Sequence, residues 1–487
     1  MSGAPSAARS TRGIGLATAV AALGGLLFGY DTGIISAAQL YFPVSFGARP
    51  AAGGGFDWSV RLFGLVDLGA TKTVEVVVAC LLFGALAGAL TGGVIADRFG
   101  RRPTLIGVAL VFVAGAVSSG AAPAVEVLIV ARVVLGYSIG VSSVVVPLYI
   151  AEVAPADRRG RLVSMNQFMI TVGIFVSYLV GFALGPSSSW RAMLVLAAVP
   201  AAVMLVGLTR VSESPRWLAV HGRASQAREV LMRTRSAEQA ETELYEIAEH
   251  AKVEQSRRWA DLLTPRMRPA LLLGIGMAFI NQMVGVNALI YYTPTILGGI
   301  YGSQVALGIT VLVGLVNMVV TFVALNRIDH WGRRPLIVGG TAVVTGALIV
   351  LALLFLAVPS HPTGGNDRPA LGITVGLVGA LCVYIAAFAA SLGLGIWLIN
   401  SEVYPTAIRG KASGLGSTTH WVLDLIISLN VLTLIAAVSP TGLFGIFAVF
   451  GVAGLVLLWR GLPETKGQSL EHITAELQGR LGSGREG

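Results

Sequence analysis

The stretch GGVIADRFGRRP, Gly92 to Pro103, is answered further along the chain by NRIDHWGRRP, Asn326 to Pro335, and both carry Asp-x-x-Gly-Arg-Arg-Pro. A second pair, EVAPADRRG (152–160) and EVYPTAIRG (402–410), shares Glu-x-x-Pro-x-x-x-Arg-Gly. Each motif sits in a short polar break between apolar runs, so the chain reads as two similar halves. Duplication of this kind is the sequence signature of a transporter whose halves move about a site near mid-membrane.

Outward from these loops the chain is apolar. It has 487 residues, of which 55% are hydrophobic and 12% charged, against about 25% charged in soluble proteins. Runs of about 20 apolar residues, the length needed to cross a hydrocarbon core of about 30 Å, recur about twelve times. They start near Ile14, Val74, Thr104, Val125, Leu162, Trp190, Arg268, Ser303, Leu336, Ala370, Ala412 and Thr441. The alternation over about ten residues that a membrane barrel needs is absent. The expected fold is an all-α membrane protein of twelve helices in two six-helix halves related by pseudo-symmetry.

The net charge of +9 is a topology signal and calls for no nucleic-acid partner. Assigning the polar segments alternately to two sides leaves only Arg49, Arg61, Lys72, Arg191 and Arg368 on one side and Arg132 inside a helix, with the rest of the 34 Lys and Arg opposite. The positive-inside rule then places both termini and the middle segment in the cytoplasm. The expected parts are an N-terminal tail (1–13), a first half (14–209), a cytoplasmic linker with short amphipathic helices (210–267), a second half (268–461) and a cytoplasmic tail (462–487). The opening MSGAPSAARSTRG and its apolar run resemble a secretory signal, but the run is too long and lacks a clear small-residue cleavage site, so it is read as a retained first helix. Cys80 and Cys382 both lie in apolar spans, which implies neither a disulfide framework nor a metal cluster. The glycine-rich loop near 43–73 carries no readable role.

With the paired loops, VSESPRWL (211–218) after the sixth span and LPETKG (462–467) after the twelfth, the chain resembles the sugar porters of the major facilitator superfamily over about residues 14–467. It is similar to bacterial proton–sugar symporters and to animal glucose carriers. The resemblance implies a multi-pass protein of the cell membrane, monomeric, without cofactor or metal, whose partners are a monosaccharide or polyol, protons and the bilayer. It implies that Asp97, Arg101, Arg102, Glu152 and Arg159, with Asp329, Arg333, Arg334, Glu402 and Arg409, form the inner gate. Opposite charges at helix ends can pair when that side is closed and separate into water when it opens.

A sugar offers hydroxyls that both donate and accept, and apolar C–H faces, which amides and aromatic rings match. Gln167 in the fifth span, Asn281, Gln282, Asn287 and Tyr291 in the seventh, Asn317 in the eighth, Trp397 in the tenth, His420 and Trp421 in the eleventh and Phe28 in the first stand where the resembled family contacts sugar. A single membrane amide often only joins helices. Gly285 and Pro294 weaken the seventh helix, as membrane binding sites often require. Two departures bear on which sugar is carried: Asn281–Gln282 replaces a common glutamine pair, and His420 replaces an amide. His420 and Asp424, spaced i, i+4, share a helix face and could bind a hydroxyl, form a second protonatable pair, or hold structure.

Asp31 lies in an apolar helix, where a charge costs roughly 2.5–3.5 kcal/mol on insertion scales. Arg132 in the fourth span supplies a counter-charge, and each explains the other. In the resembled symporters this pair couples protons to sugar, whereas related uniporters carry a neutral amide at the position of Asp31. The alternatives are a static salt bridge and facilitative uniport. GYSIG (136–140) matches a nucleophile elbow without its strand–turn–helix setting, and no Walker A or His-Glu-x-x-His motif occurs. An enzyme and an ATP-driven pump are therefore not expected. The Gly25/Gly29/Gly33 and Gly84/Gly88/Gly92 ladders read as close helix contacts.

Overall fold

Every apolar run folds as helix in the computed structural model, which describes residues 7–50, 56–155, 158–233, 235–255, 264, 267–358, 369–404, 409–466, 468 and 476. Spans 1 to 5 are Ala7–Ala38, Ala70–Phe99, Arg101–Ala121, Val125–Val153 and Arg159–Leu184, and span 6 is Trp190–Val195 with Ala198–Leu208. Span 7 is Arg268–Met283 with Val286–Tyr301, span 8 is Ser303–Trp331, span 9 is Arg333–Leu356, and span 10 is Leu371–Ala390 with Leu392–Glu402. Span 11 begins as Arg409–Ser428. The helix Val431–Gly461 turns at Ser439 (φ 65°), followed by Pro440, so residues 431–438 finish span 11 and 440–461 form span 12. Several helices start a few residues before their apolar runs, taking in a polar first turn such as Arg101–Arg102 or Arg333–Arg334.

Eleven helices among the described residues are long and apolar enough to cross a membrane. Arg409–Ser428 falls short because it spends its side chains on Ser417, Thr418, Thr419, His420 and Asp424. The apolar side chains left on the outside, such as Phe83, Val94, Leu353 and Val449, would be an aggregation surface in water and are the lipid-facing surface here.

Pseudo-symmetry shows in which helices touch. Span 1 packs on 5, 2 on 4 and 3 on 6; correspondingly span 7 packs on 11, 8 on 10 and 9 on 12. The halves meet through the equivalent pairs 2 with 11 and 5 with 8, and through 1 with 7. The glycine ladders make the close approaches expected of them. A Cβ on Gly29 would strike the Ile170 carbonyl of span 5, and one on Gly84 or Gly88 would strike the Val133 or Tyr137 carbonyl of span 4. Only residues without a side chain allow backbones so near.

In the loop 43–73, Arg49–Pro50 pairs antiparallel with Phe56–Asp57, and Ser59–Leu62 forms an antiparallel hairpin with Val66–Gly69. The membrane side that carries it is called the hairpin face below; the opposite side, where span 1 begins and span 12 ends, is the terminal face. After span 6, the helices Pro215–Val220, Ala224–Met232 and Ala237–Gln255 lie on the terminal face, with Trp217, Leu218, Ala227, Leu231 and Ala240 buried.

Candidate translocation site

Two backbone breaks shape the centre. Span 7 breaks at Gly285, whose φ of +81° favours glycine. Tyr384 Oη donates to the Val284 carbonyl at 2.9 Å, so the break is held by span 10. Pro294 lies within the second piece without interrupting it. Span 10 breaks at Ser391 (φ −119°, ψ −86°).

Around these breaks the structure brings together most of the side chains singled out in the sequence. Gln282 Nε2 lies 3.0 Å from each ring nitrogen of His420, and Asn287 Nδ2 donates to Gln282 Oε1 at 3.2 Å. Tyr291 Oη donates to Asp424 at 3.4 Å and Ser428 Oγ at 3.3 Å; the Asn287 side chain also hydrogen-bonds Asp424. The Trp397 ring lies 5.8 Å from that of His420, which lies 5.7 Å from Trp421. Phe28 reaches across from the first half to 5.5 Å from Trp421. Trp421 is 1% exposed but Trp397 is 39% exposed, so the cluster is open on the Trp397 side.

Three predicted residues stand elsewhere. Asn281 donates to the Leu392 carbonyl at 3.0 Å, tying span 7 to the break in span 10. Asn317 lines an internal cavity with Tyr178, Ile290 and Thr293, and half-buried Gln167 makes no hydrogen bond to the cluster among the described residues.

Asp31 and Arg132, each 1% exposed, approach to 3.6 Å between Oδ2 and Nη2, longer than a direct charge-assisted hydrogen bond. Arg132 Nε donates to the Val77 carbonyl at 2.9 Å. Neither Asp31 Oδ2 nor Arg132 Nη1 has a hydrogen-bond partner among the described residues.

At the terminal face the same construction occurs twice. Arg101 forms a bidentate pair with Glu152 at 2.9 and 3.0 Å and meets Asp97 at 3.0 Å. Arg333 meets Glu402 at 3.1 Å. The carboxylate of Glu213 accepts from the Arg101 and Arg102 backbone N–H groups at the start of span 3. That of Glu464 accepts from those of Arg333 and Arg334 at the start of span 9. A carboxylate there satisfies orphan donors and complements the helix dipole. Burial pushes Glu464 up, but the Lys466, Arg333 and Arg334 N–H groups and the Arg333 charge outweigh it and hold the carboxyl below its ordinary range. Arg102 Nε and Arg334 Nη2 donate to the Leu208 and Trp459 carbonyls. The side chains of Arg159, Asp329 and Arg409 lie outside the described residues. The gate pairs seen here close within a half and do not bridge the two.

Bridges between the halves are concentrated from the hairpin face to mid-membrane. Glu75, fully buried, accepts from Thr433 N and Oγ1, both at 2.7 Å, and pairs with Lys72 at 3.0 Å. Lys72 in turn donates to the Leu429 carbonyl and to Asn430. Gln39 Nε2 donates to the Tyr291 carbonyl at 2.5 Å and Tyr178 Oη to the Ile290 carbonyl at 3.1 Å. Among the described residues the two halves are thus tied together on the hairpin face. Sequence reading missed Glu75, Lys72 and Gln39, which look like span-end residues. It also missed Glu213 and Glu464, although a Glu inside each of VSESPRWL and LPETKG was the available signal.

The family model described as Sugar (and other) transporter matches residues 17–477. The chain is 34% identical to a D-xylose transporter of Levilactobacillus brevis, covering 95% of each. It is 35% identical to a galactose-proton symporter of Escherichia coli (strain K12), covering 94% of this chain and 93% of that one. The partially occluded inward open conformation of the xylose transporter XylE from E. coli superposes with a TM-score of 0.79 at 28% identity, over 94% of this chain and 100% of that one.

Proposed function

This chain belongs to the sugar transporter family of the major facilitator superfamily, a family of transporters and not of enzymes, and from that premise we propose that it is a proton-coupled symporter of a monosaccharide or polyol. Alternating access carries the substrate through the central cluster. The terminal face is cytoplasmic and the membrane is the cell membrane, in line with the Lys and Arg bias. Phe28, Trp397 and Trp421 supply faces for sugar C–H groups. Gln282 and Asn287 supply hydroxyl partners. Gln167 and Asn317 complete the path, and the charged loops form the inner gate.

The observation that carries the coupling is the buried Asp31–Arg132 pair, held 3.6 Å apart with hydrogen-bonding capacity to spare on both sides. A carboxylate so placed is balanced between a counter-charge that favours ionisation and burial that opposes it. A movement of span 1 against span 4 changes that balance and so takes up or releases a proton. One charge crossing 100 mV supplies roughly 2.3 kcal/mol, about a fiftyfold gradient. The test is uptake of radiolabelled glucose, galactose, xylose, arabinose and myo-inositol into energised vesicles, with and without uncoupler, by wild type and Asp31→Asn. The expected result is accumulation of one substrate that collapses with uncoupler, and simple equilibration in the variant. A wild type that only equilibrates, uncoupled or not, would make the protein a uniporter and the pair a structural tie.

A further inference from the structure

His420 and Asp424 stand one turn apart on span 11 and bracket the amide pair that span 7 presents on either side of its break. Asn287 Nδ2 gives its hydrogens toward Asp424 and Gln282 Oε1, and Gln282 Nε2 gives one toward His420. An amide is nearly symmetric in shape but opposite in hydrogen-bonding sense at its two ends, so its neighbours decide which end faces where. Asp424 lies at the Asn287 end and His420 at the Gln282 end. Because Gln282 Nε2 is equidistant from both ring nitrogens, a neutral imidazole offers an acceptor in either tautomer. With one N–H and one lone pair committed inside the protein, Gln282 has one donor and one acceptor left in fixed positions. Asn287 keeps Oδ1 free as an acceptor.

We propose that His420 and Asp424 are positioning residues that lock the hydrogen-bond polarity of the Gln282–Asn287 pair, and so decide which substrate hydroxyls must donate and which must accept. This rests on the sugar-transport reading above. Without its acceptor at position 420, the Gln282 amide turns freely and presents either end. The Asn287 amide loses its reason to keep one sense as Gln282 Oε1 leaves. Affinity then falls, but the distinguishing effect is a loss of discrimination between substrate groups of the same size.

Fluorine replacing a hydroxyl can accept but cannot donate, whereas a deoxy position does neither. The experiment measures competition by monodeoxy and monofluoro analogues of D-glucose, D-galactose and D-xylose against uptake of the parent sugar. It compares wild type, His420→Leu and His420→Gln, with Asp424→Asn as the matching change at the other end. In wild type at least one ring position should show a deoxy-to-fluoro inhibition ratio of about threefold or more, the size of one modest hydrogen bond. His420→Gln, which still offers an acceptor while Asp424 sets the sense of Asn287, should keep that ratio; Asp424→Asn, which can face Asn287 with either end of its amide, should reduce it. His420→Leu should draw together the ratios at the positions facing Gln282, because the freed amide turns its donor or its acceptor to whichever group the sugar presents. A His420→Leu protein that binds more weakly but keeps the wild-type ratios would overturn the assignment and leave His420 a packing residue. If none of glucose, galactose, xylose, arabinose and myo-inositol is taken up by wild type although the protein is folded and inserted, the substrate reading fails and this assignment with it.

Discussion

Replacing Glu75 by Gln should unlatch the hairpin face. The carboxylate takes two hydrogen bonds of 2.7 Å from Thr433 and one charge-assisted bond of 3.0 Å from Lys72, and the Thr433 groups belong to the other half. The Thr433 N–H lies in the first turn after Asn430, so Glu75 caps the last part of span 11 from across the interface. Gln keeps the shape but turns one acceptor into a donor facing a donor and deletes the charge opposite Lys72. Hydrogen bonds to a charged group contribute about 1.5–3 kcal/mol each; allowing for one retained bond and for water reaching the freed groups, the loss is about 2–4 kcal/mol. That lowers the ratio of sealed to open hairpin face by roughly 30- to 900-fold. The assay is the spin–spin distance between labels at Ser187, after span 5, and Leu371, at the start of span 10. Both are exposed on the hairpin face and lie in different halves; the background carries Cys80→Ala and Cys382→Ala. A longer-distance population should grow in Glu75→Gln. Superposable distance distributions in the variant and its parent would refute the latch, and with it the view that this side is sealed by specific bonds and not by apolar contact alone.

Other outcomes follow from the same geometry. Gly29→Val places a branched side chain on the Ile170 carbonyl and should cost about 1–3 kcal/mol or more by overpacking, seen as a lower unfolding temperature in detergent. Gly299→Ala, with open space around it, serves as control. Glu464 is held below its ordinary value of 4.5, so its contribution is present above that pH and is lost as pH falls through the depressed value. The stability gap between wild type and Glu464→Gln should therefore be open at pH 7 and close in acid, as read by thermal unfolding across that range.

Much of the fold was legible because the bilayer imposes one length on every crossing and the two halves repeat their loops. Asp31 and Arg132 could be matched from sequence because a lone charge in an apolar helix demands a partner. The backbone breaks were only half legible. Gly285 marked one, but Pro294, equally suspect, sits in unbroken helix, and nothing in FAASLGLG fixes the break at Ser391. Asn281 and Gln282 are neighbours of one chemical type, yet one ties span 7 to span 10 and the other faces His420. The direction of a side chain at a distorted turn is decided by what packs there, which composition does not encode. Glu75 was illegible for another reason. Near the end of a span a carboxylate reads as solvated, and only the approach of span 11 buries it.

That the Arg–Glu pairs and the Glu caps described on the terminal face close inside each half bears on how such a chain is made. Arg101 with Glu152 and Glu213, and Arg333 with Glu402 and Glu464, give each half its own finished ends. The first half can therefore complete these bonds while the second is still being synthesised. Two separately translated polypeptides, divided within the segment between spans 6 and 7, should find each other in the membrane and restore uptake.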